Sequence, residues 1–522
     1  MGIRLLDCTL RDGGHLTSGK FGEQNIRHVL RKLVDAQVDM IEAGFLTEER
    51  YSTDYARFSC IADAKRVLPE YRGVSRFCLM ADFVNLDNIE PCDGTVEFIR
   101  LSFKRFRLDW ALRTAKVLMD KGYKVCINPV NCNVYTDAEY LGVLQKVAEL
   151  HPFCFSIVDT FGVLRIRDLS RLYYLVDSNL PDDMAIGVHL HENLGLAYSL
   201  AQHLISVNEE RRNIIINASL LGMGRVPGNL CIEQIMEHLN MFYRGNYVTE
   251  SAFDAIDDCI APLKKNIPWG YSIPYALSAQ YNLHRTYAEF LLDKQKLLTS
   301  DMAKILSSVS KNEAEMFNEK HIEEIYRIYM SVPVDDNVHR KNLSKRIGEK
   351  EIVIIAPGGS LKQAKQSINK YVQEQNAFVI AINFIPDFVT PNLCFYTNIK
   401  RYELERDTLV NTEVAVSSNL MRYEGMVKAT YIFDYAQISS HGNAQSDDST
   451  LMVLCLLKSI GINKIAFAGF DGFMEGNLFY RENLNRNGDY KKNVLLSKEI
   501  LKTEYNGMDL VFLTKSAYGQ GV

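Results

Sequence analysis

Short apolar runs alternate with longer amphipathic stretches through the first half of the chain. The runs are rich in Val, Ile, Leu and Phe, which is typical of strands buried in a sheet. Each run is bounded by polar or turn-forming residues, so each predicts one strand. The eight strand candidates are residues 3–9, 39–44, 74–81, 96–102, 123–129, 154–159, 184–191 and 213–219.

Apolar positions spaced three or four residues apart follow most of these strands and predict helices. The helical stretches are residues 25–36, 108–119, 138–150, 166–176, 192–207 and 229–242. Strands that alternate with helices favour parallel strands covered by helices, and eight units of ~30 residues match a (β/α)₈ TIM barrel. The alternative is an open doubly wound sheet, which usually carries a glycine-rich phosphate loop after its first strand. RDGGHLTSG is a poor version of such a loop, so the barrel is favoured.

The second half of the chain begins as helices and then becomes α/β again. Residues 330–350 are polar and include Pro333, which predicts a linker. A strand, a Gly-Gly turn and a helix are predicted from Glu351 onward, and further strand candidates come after that helix. We therefore expect a barrel over 1–290, a helical segment and linker over 291–350, and a Rossmann-like α/β domain over 351–522.

Composition narrows the functional classes. The 522 residues exceed what one hydrophobic core holds, so at least two domains are expected. The 59 basic and 64 acidic residues give a net charge of -5, which argues against a broad nucleic-acid surface. No apolar run approaches the ~20 residues that cross a bilayer, and no signal peptide is visible, so we expect a cytoplasmic protein. The 11 cysteines form no CxxC pair and are expected to be buried, reduced thiols.

Two histidines stand at the end of the seventh strand candidate, in the run VHLH. Residues i and i+2 of a strand point to the same side, so His189 and His191 converge. Two imidazoles at a strand end make half of a divalent metal site. The alternative is a pair of hydrogen-bonded or surface histidines.

The first strand candidate ends in DCTLRDGGH, where three chemically useful side chains follow one another. Asp12 offers an oxygen ligand, Arg11 a fixed positive fork and His15 a base. A charged loop is the alternative for this segment alone. Closure of a barrel brings strands one and seven to the same rim, however. One carboxylate and two histidines there predict a site for Mn²⁺ or Mg²⁺ with room for a chelating substrate.

Five motifs together carry a family resemblance over about residues 2–290. LLDCTLRDGGH, IEAGF, VDTFG, GVHLHENLGLA and NASLLGMGRVPGN, in this order, resemble the pyruvate-carboxyltransferase-like metal-dependent barrels. That superfamily includes hydroxymethylglutaryl-CoA lyase, isopropylmalate and homocitrate synthases, and 4-hydroxy-2-oxovalerate aldolase. The aldolase branch is the most similar because its signature carries a histidine at the place of His15. WGYSIPYALS is also similar to the Gly-Tyr segment of the aldolases.

The resemblance implies a metal-dependent aldolase that cleaves or forms 4-hydroxy-2-oxo acids through a pyruvate enolate. It implies that Asp12, His189 and His191 bind the metal, and Asn229 matches a further ligand of the lyase branch. An acyl-CoA-dependent condensing enzyme of the same superfamily is an alternative. A non-catalytic barrel that supports a nucleotide- or sugar-binding module is an alternative of another class.

The resemblance also implies roles around the substrate. Arg11 would stabilise the enolate, and His15 would take the proton of the 4-hydroxyl group. Thr160 would contact the keto-acid carboxylate. Tyr271 would lie beside the aldehyde, and Glu42 would be a polar support of the site.

The chain departs from the aldolases in two places. Arg225 and Pro227 stand in GMGRVPGN where small residues are usual, and the guanidinium could meet an acidic or phosphorylated substrate or lie on the surface. The segment after Tyr271 differs from the helical region that docks an aldehyde dehydrogenase in the aldolases. An aldehyde dehydrogenase partner is therefore not supported, and a homo-oligomer is expected.

The second α/β region holds a candidate nucleotide site. A Gly-Gly turn between a strand and a helix suits a phosphate or carboxylate, although a plain connecting turn has the same sequence. The arrangement remotely resembles bacterial sialyltransferase-like Rossmann proteins. The resemblance implies a nucleotide or nucleotide sugar near Gly358, Gly359, Ser360, Asn383 and Asp471.

Overall fold

The computed structural model describes residues 2–81, 85–209, 211–409, 412–472, 480 and 490–519. It divides the chain into two compact units, Met1–Arg285 and Thr286–Val522. Within the α/β domain expected over 351–522, residues 410–411, 473–479, 481–489 and 520–522 lie outside the described part.

The first unit is built around one parallel sheet. Its strands are β1 (Ile3–Asp7), β2 (Met40–Leu46), β3 (Arg57–Phe58), β4 (Arg76–Ala81), β5 (Phe98–Phe103), β6 (Lys124–Pro129), β7 (Cys154–Val158), β8 (Ala185–His189) and β9 (Ile214–Ala218). The order is β1-β9-β8-β7-β6-β5-β4-β2-β3, and β1 also pairs with β2. This last pairing closes eight strands into a barrel and leaves the short β3 outside it. All eight strand candidates are present, and the predicted TIM barrel is confirmed.

Helices follow most of the barrel strands. They are α1 (Thr9–Asp12), α2 (Gly14–Thr17), α3 (Glu23–Asp35), α4 (Ile61–Lys65), α5 (Leu108–Asp120), α6 (Asp137–Leu150), α7 (Ile166–Asp177), α8 (Ala197–Asn208), α9 (Ile232–Phe242), α10 (Thr249–Ala255), α11 (Ala261–Asn266) and α12 (Ile273–Gln280). Helix α6 begins with a capping box in which Thr136 and Glu139 satisfy each other's backbone amides.

Two helices begin later than their periodicity predicts. The stretch expected from residue 192 becomes helical only at Ala197, because the Glu192 amide donates to the carbonyl of Gly228. The stretch expected from residue 229 becomes helical only at Ile232, because Asn229 forms a bridge with His191. Both segments therefore give up a helical turn to contact each other at the barrel rim.

Buried side chains form two apolar layers in this unit. The larger layer lies between strands and helices and includes Leu33, Leu118, Leu172 and Leu204. A smaller cluster joins one residue from each of the eight barrel strands with neighbouring Cys8 and, in part, Phe153. Its buried members are Leu6, Cys8, Met40, Cys78, Phe98, Cys126, Cys154, Ala185 and Ile215. This cluster fills the interior of the barrel, so we expect chemistry at the rim formed by the carboxyl ends of the strands.

The second unit has helices before and around a second parallel sheet. Four helices come first, α13 (Thr286–Lys294), α14 (Thr299–Ser307), α15 (Glu319–Met330) and α16 (Asn337–Ile347). Helix α16 falls within the polar segment 330–350 and buries Leu343 and Ile347.

The sheet of the second unit is open and parallel in the described residues. Its strands are β10 (Ile352–Ile355), β11 (Phe378–Ile382), β12 (Leu393–Tyr396), β13 (Glu413–Ser417), β14 (Tyr431–Phe433), β17 (Lys464–Ala468) and β18 (Asp509–Phe512), with a small hairpin of β15 (Ser440–His441) and β16 (Ala444–Gln445). The remaining helices are α17 (Leu361–Glu374), α18 (Ile399–Glu405), α19 (Tyr435–Ile438), α20 (Ser449–Ser459) and α21 (Tyr490–Glu504). The order β14-β13-β12-β11-β10-β17-β18 changes direction beside β10, the place where open α/β sheets form a crevice.

Two expectations from composition can be compared with the structure. All 11 cysteines lie in described residues as free thiols, and seven of them are buried. Across the described ranges, no helix combines the length and the apolar character that a bilayer crossing requires.

A buried arginine ties β9 to the end of α7. Arg212 Nε donates to Asp177 Oδ1 at 2.6 Å, and Nη2 donates to the carbonyl of Leu180 at 2.8 Å. Arg212 is almost fully buried, whereas its neighbour Arg211 is exposed and reaches the same Asp177 carboxylate at 3.1 Å. The pair therefore offers a buried and an exposed version of one interaction.

We expect Arg212→Ala to lower the free energy of unfolding of the first unit by about 3 to 5 kcal/mol, because Asp177 and several carbonyls lose a buried partner. Arg211→Ala, the matched control, should cost under ~1 kcal/mol. Both tryptophans, Trp110 and Trp269, lie in the first unit, so urea unfolding followed by tryptophan fluorescence measures it selectively. Equal effects of the two variants would contradict this account.

Candidate metal centre

Strand β8 and the loop after it bring two histidines together. His189 is the last residue of β8, and His191 follows in an isolated bridge with Asn229. Their ring centroids lie 4.8 Å apart and the rings are nearly perpendicular, at 88°. Both side chains are buried. The convergence expected from strand alternation is therefore present.

Asp12 joins the histidines from the first strand. Helix α1 begins two residues after β1 and ends at Asp12, whose Oδ2 lies 3.9 Å from His191 Nε2. One carboxylate oxygen and one nitrogen of each of the imidazoles of His189 and His191 lie within 4.8 Å of one another. Atoms that share one ion at about 2.1 Å can lie up to about 4 Å apart, so this spacing is close to that of a metal site.

The protonation states of the three groups suit a cation. His191 Nδ1 lies 2.9 Å from the carbonyl oxygen of Asp159, which can only accept, so Nδ1 carries the proton and Nε2 keeps its lone pair. Burial lowers the pKa of both His189 and His191. Burial also opposes ionisation of Asp12, but the charge of Arg11 holds its pKa well below the usual range. The cluster is therefore one carboxylate and two neutral imidazoles.

Two buried polar atoms at the site lack a hydrogen-bond partner within the described residues. They are His189 Nδ1 and Asn229 Oδ1. Buried polar atoms in proteins almost always have a partner, and a cation would provide one. The residues present therefore fit a divalent metal ion, with Asp12, His189 and His191 as the central donors and Asn229 beside them.

The loop GMGRVPGN holds the Asp12 carboxylate in place. Asn229 Nδ2 donates to Asp12 Oδ2 at 2.7 Å, and the backbone amide of Arg225 donates to the same oxygen at 3.3 Å. A Cβ atom at Gly224 would come within 2.5 Å of Asp12 Oδ2 and still closer to the Asn229 amide. Glycine is therefore required at position 224 because the loop and the carboxylate approach so closely.

Arg11 is fixed between two carboxylates. Its Nη1 lies 2.5 Å from Asp12 Oδ1, and its Nε donates to Glu42 Oε2 at 2.7 Å. Arg100, on β5, donates to the same Glu42 oxygen at 2.8 Å and also to Asn217. Glu42 therefore stands behind Arg11 inside the barrel, as a support. Arg100 was not identified from the sequence, although a charged residue inside the apolar strand FIRLSF was a signal.

His15 lies next to the cluster but remains accessible. Its Nε2 is 3.8 Å from Asp12 Oδ1, its ring meets Phe45 edge-on at 5.6 Å, and 42% of its side chain is exposed. Partial burial and the positive charges of Arg11 and Arg225 lower the pKa of His15 to about 4, although Asp12 acts in the opposite direction. The imidazole is therefore neutral near pH 7 and able to accept a proton.

A pocket borders the cluster at His191. Its other lining residues are Thr160, Phe161, Asn193, Arg225, Val226, His284 and Arg285. Thr160 Oγ1 accepts a hydrogen bond from the backbone amide of Asn131 at 2.8 Å, which leaves the hydroxyl proton available. The sequence provided no motif for His284 and Arg285, which come after the last recognised segment.

Tyr271 is placed differently from the other predicted residues. Its side chain is 59% exposed and is not among the residues that line the cavity. Its ring lies beside Gly195, in the loop that follows His191. The role expected for Tyr271 near the aldehyde stays a prediction.

In the second unit, the structure brings four of the five predicted nucleotide-site residues together. Asp471 accepts hydrogen bonds from the Ser360 amide at 2.8 Å and from Ser360 Oγ at 2.5 Å, and a Cβ atom at Gly358 would strike the Asp471 side chain. Gly359 is in the same turn. A phosphate at the Ser360 amide would have to displace this carboxylate.

Asn383 belongs to a neighbouring polar group. Its Oδ1 accepts from the Thr397 amide at 3.0 Å, and its Nδ2 donates to Ser449 Oγ at 2.8 Å. These bonds join the ends of β11 and β12 to the start of α20. The nucleotide or nucleotide sugar stays a prediction for this unit.

The first unit is similar in sequence to known enzymes, among them an aldolase and a synthase. Over 275 residues the chain is 24% identical to 4-hydroxy-2-oxovalerate aldolase 6 of Rhodococcus jostii, covering 51% of this chain and 76% of that protein. Over 261 residues it is 23% identical to 2-isopropylmalate synthase of Methanocaldococcus jannaschii, covering 48% of this chain and 49% of the synthase. The chain thus spans about half the length of this synthase.

A solved structure is also similar. The crystal structure of hydroxymethylglutaryl-CoA lyase from Pseudomonas aeruginosa is 16% identical, with a TM-score of 0.40, and covers 50% of this chain and 92% of that one. The family model described as HMGL-like matches residues 2–257, which include every barrel strand and the Asp–His–His cluster. Residues 2–257 of the first unit are therefore similar to the HMGL-like family.

Proposed function

We propose that the first unit is a divalent-metal-dependent lyase that acts on oxo acids, and specifically an aldolase. It would cleave a 4-hydroxy-2-oxo acid into pyruvate and an aldehyde, or join the two. The observation that carries this proposal is the convergence of Asp12, His189 and His191 beside Arg11 and His15. The aldolase and synthase among the relatives support carbon–carbon chemistry for the domain.

The metal ligands would be Asp12, His189 and His191, with Asn229 Oδ1 as a further oxygen donor. When bound, a divalent ion polarises the keto and carboxylate oxygens of an oxo acid and so favours negative charge on them. We propose Mn²⁺ or Mg²⁺, because carboxylate and amide oxygens suit these ions, whereas zinc sites usually have more nitrogen or sulfur ligands.

Arg11 would stabilise the enolate oxygen of pyruvate. Breaking the bond between C3 and C4 of the substrate leaves its electron pair on the pyruvate fragment, so negative charge develops there. Glu42 holds Nε of Arg11, and Arg100 holds Glu42, so the guanidinium is oriented before the substrate arrives. A preoriented positive group stabilises developing charge without the cost of reorganisation.

His15 would move the proton that cleavage requires. It accepts the proton of the C4 hydroxyl group as the aldehyde forms, and it returns that proton to the alkoxide in the addition direction. Thr160 would make a second interaction with the substrate. Its hydroxyl group, which accepts from the Asn131 amide, would donate a hydrogen bond to the keto-acid carboxylate in the adjoining cavity. The substrates we propose are therefore a small keto acid and an aldehyde.

A Claisen condensation between an acyl-CoA and an oxo acid is the competing function, since synthases are among the relatives. His15 favours the aldolase, because the resemblance to the aldolase branch includes this residue. Release of free thiol from acetyl-CoA in the presence of a 2-oxo acid would identify a synthase. Metal binding without turnover in either assay would instead support a barrel that serves only as a scaffold.

The metal proposal predicts that the purified protein, stripped with chelator, binds one equivalent of Mn²⁺ in a calorimetric titration. Asp12→Asn should weaken binding by more than ~100-fold, because the only anionic ligand is lost. Asp35→Asn removes an exposed carboxylate at the end of α3 and should leave the titration unchanged. Equal affinity of the wild type and Asp12→Asn would exclude this site.

Gly224→Ala should also weaken Mn²⁺ binding, by ~10-fold or more, because its Cβ would push Asp12 and Asn229 from their positions. Gly142→Ala in α6 is the matched control, since nothing lies within 4 Å of its Cβ position. It should bind Mn²⁺ normally. Normal binding by Gly224→Ala, checked in the same calorimeter, would show that the loop does not set the site.

The proposal that His15 is the base predicts an unusual dependence of kcat/KM on pH. The pKa of His15 is lowered to about 4, so the imidazole is already deprotonated at pH 6, where an ordinary histidine is largely protonated. The kcat/KM for cleavage should therefore fall on the acid side only below about pH 5. His15→Asn should reduce kcat at least ~100-fold while Mn²⁺ binding persists. A profile with an acid limb near pH 6.5 would argue against this assignment.

A further inference from the structure

The cavity next to His191 has one wall that the proposed reaction does not use. Arg225, His284 and Arg285 line this wall. Arg225 Nη2 lies 3.2 Å from His284 Nε2, and Arg285 Nη1 donates to the carbonyl of Val226 at 3.3 Å. Two guanidinium groups are thus anchored around one small cavity that also reaches a candidate metal ligand.

Positive charge is concentrated on this wall. Burial, followed by the charges of Arg225, Arg285 and Lys104, lowers the pKa of His284 to about 4, so His284 is neutral and can accept a hydrogen bond from Arg225. Lys104 directly follows β5, at the same end of the barrel. A pocket lined by two guanidinium groups favours an anionic ligand.

The wall also lies on the side of the proposed base. The backbone amide of Arg225 contacts Asp12 Oδ2, so one residue touches the metal cluster with its main chain and lines the cavity with its side chain. His15, the residue proposed to serve the C4 hydroxyl group, borders the same cluster, with its Nε2 3.8 Å from Asp12 Oδ1. A group extending from C4 of the substrate toward the cavity would therefore meet the guanidiniums of Arg225 and Arg285.

We propose that Arg225 and Arg285 bind an anionic group carried by the aldehyde half of the substrate. This inference rests on the proposed aldolase function and adds the substrate class, an aldehyde that bears a carboxylate or a phosphate. A guanidinium presents parallel N–H donors that match the oxygen pairs of both anions. The aldol addition itself is unchanged: the methyl carbon of pyruvate loses a proton and bonds to the aldehyde carbon, whose oxygen gains a proton.

The test compares matched aldehydes with the Mn²⁺-loaded full-length protein. Succinic semialdehyde is paired with butanal, and glyceraldehyde 3-phosphate with glyceraldehyde, each in the presence of pyruvate. We expect kcat/KM to favour the charged member of at least one pair by ~10-fold or more, since hydrogen bonds to charged groups are worth at least that factor. The pair with the larger preference identifies carboxylate or phosphate.

Variants test whether Arg225 and Arg285 cause the preference for the charged aldehyde. Arg225→Gln and Arg285→Gln should each reduce the ratio of the two kcat/KM values by ~10-fold, and Arg285→Lys should retain part of it. Arg31→Gln removes an exposed guanidinium from α3 and should keep the full ratio. The comparison of paired aldehydes uses the wild-type protein. A folding defect in Arg225→Gln or Arg285→Gln therefore does not affect it.

A separate measurement distinguishes failure of this inference from failure of the proposed function. Exchange of the pyruvate methyl protons with D₂O, followed by proton NMR, needs only the metal site and pyruvate. Exchange without any preference between paired aldehydes would overturn the anion-binding role alone. No exchange and no addition with any aldehyde would overturn the proposed function, and the inference with it.

Discussion

The buried carboxylate of Asp12 is the interaction on which the candidate site depends. A buried charge costs several kcal/mol unless it is paired and hydrogen-bonded. Here the guanidinium of Arg11, the amide of Asn229 and the backbone of Arg225 all contact it. Arg11 comes from the segment after β1, and Arg225 and Asn229 come from the loop after β9. Because β1 and β9 are neighbours in the closed barrel, the carboxylate has all its partners only when the barrel is formed.

Charged groups continue inward from the rim in alternating sign. Asp12 contacts Arg11, Arg11 contacts Glu42, and Glu42 contacts Arg100. Each charge has an opposite neighbour, which makes their burial tolerable and fixes their geometry. Below them, the apolar cluster around Phe98 and Cys154 fills the barrel. The barrel therefore works as a rigid support that orients Arg11.

The candidate metal site and the cavity wall have different origins in the chain. The cluster uses strand ends and the segments that follow them, whose positions the barrel dictates. The wall uses Arg225 in a loop and His284 and Arg285 beyond the last barrel helix. In barrels of this kind, loops vary without disturbing the strands, so chemistry and substrate choice can change separately. Such a separation is consistent with relatives that include both an aldolase and a synthase.

The sequence by itself determined the barrel, because eight buried strands alternating with amphipathic helices leave few other arrangements. It also predicted that Asp12, His189 and His191 meet at one rim, because strand alternation turns the two histidines to one side and barrel closure brings the first and seventh strand candidates together. Only the tertiary structure decided that Arg100 supports Glu42, that Asp471 occupies the turn at Ser360, and that His284 and Arg285 join Arg225. Those contacts join residues far apart in the chain, and they depend on side-chain packing that no local spacing encodes.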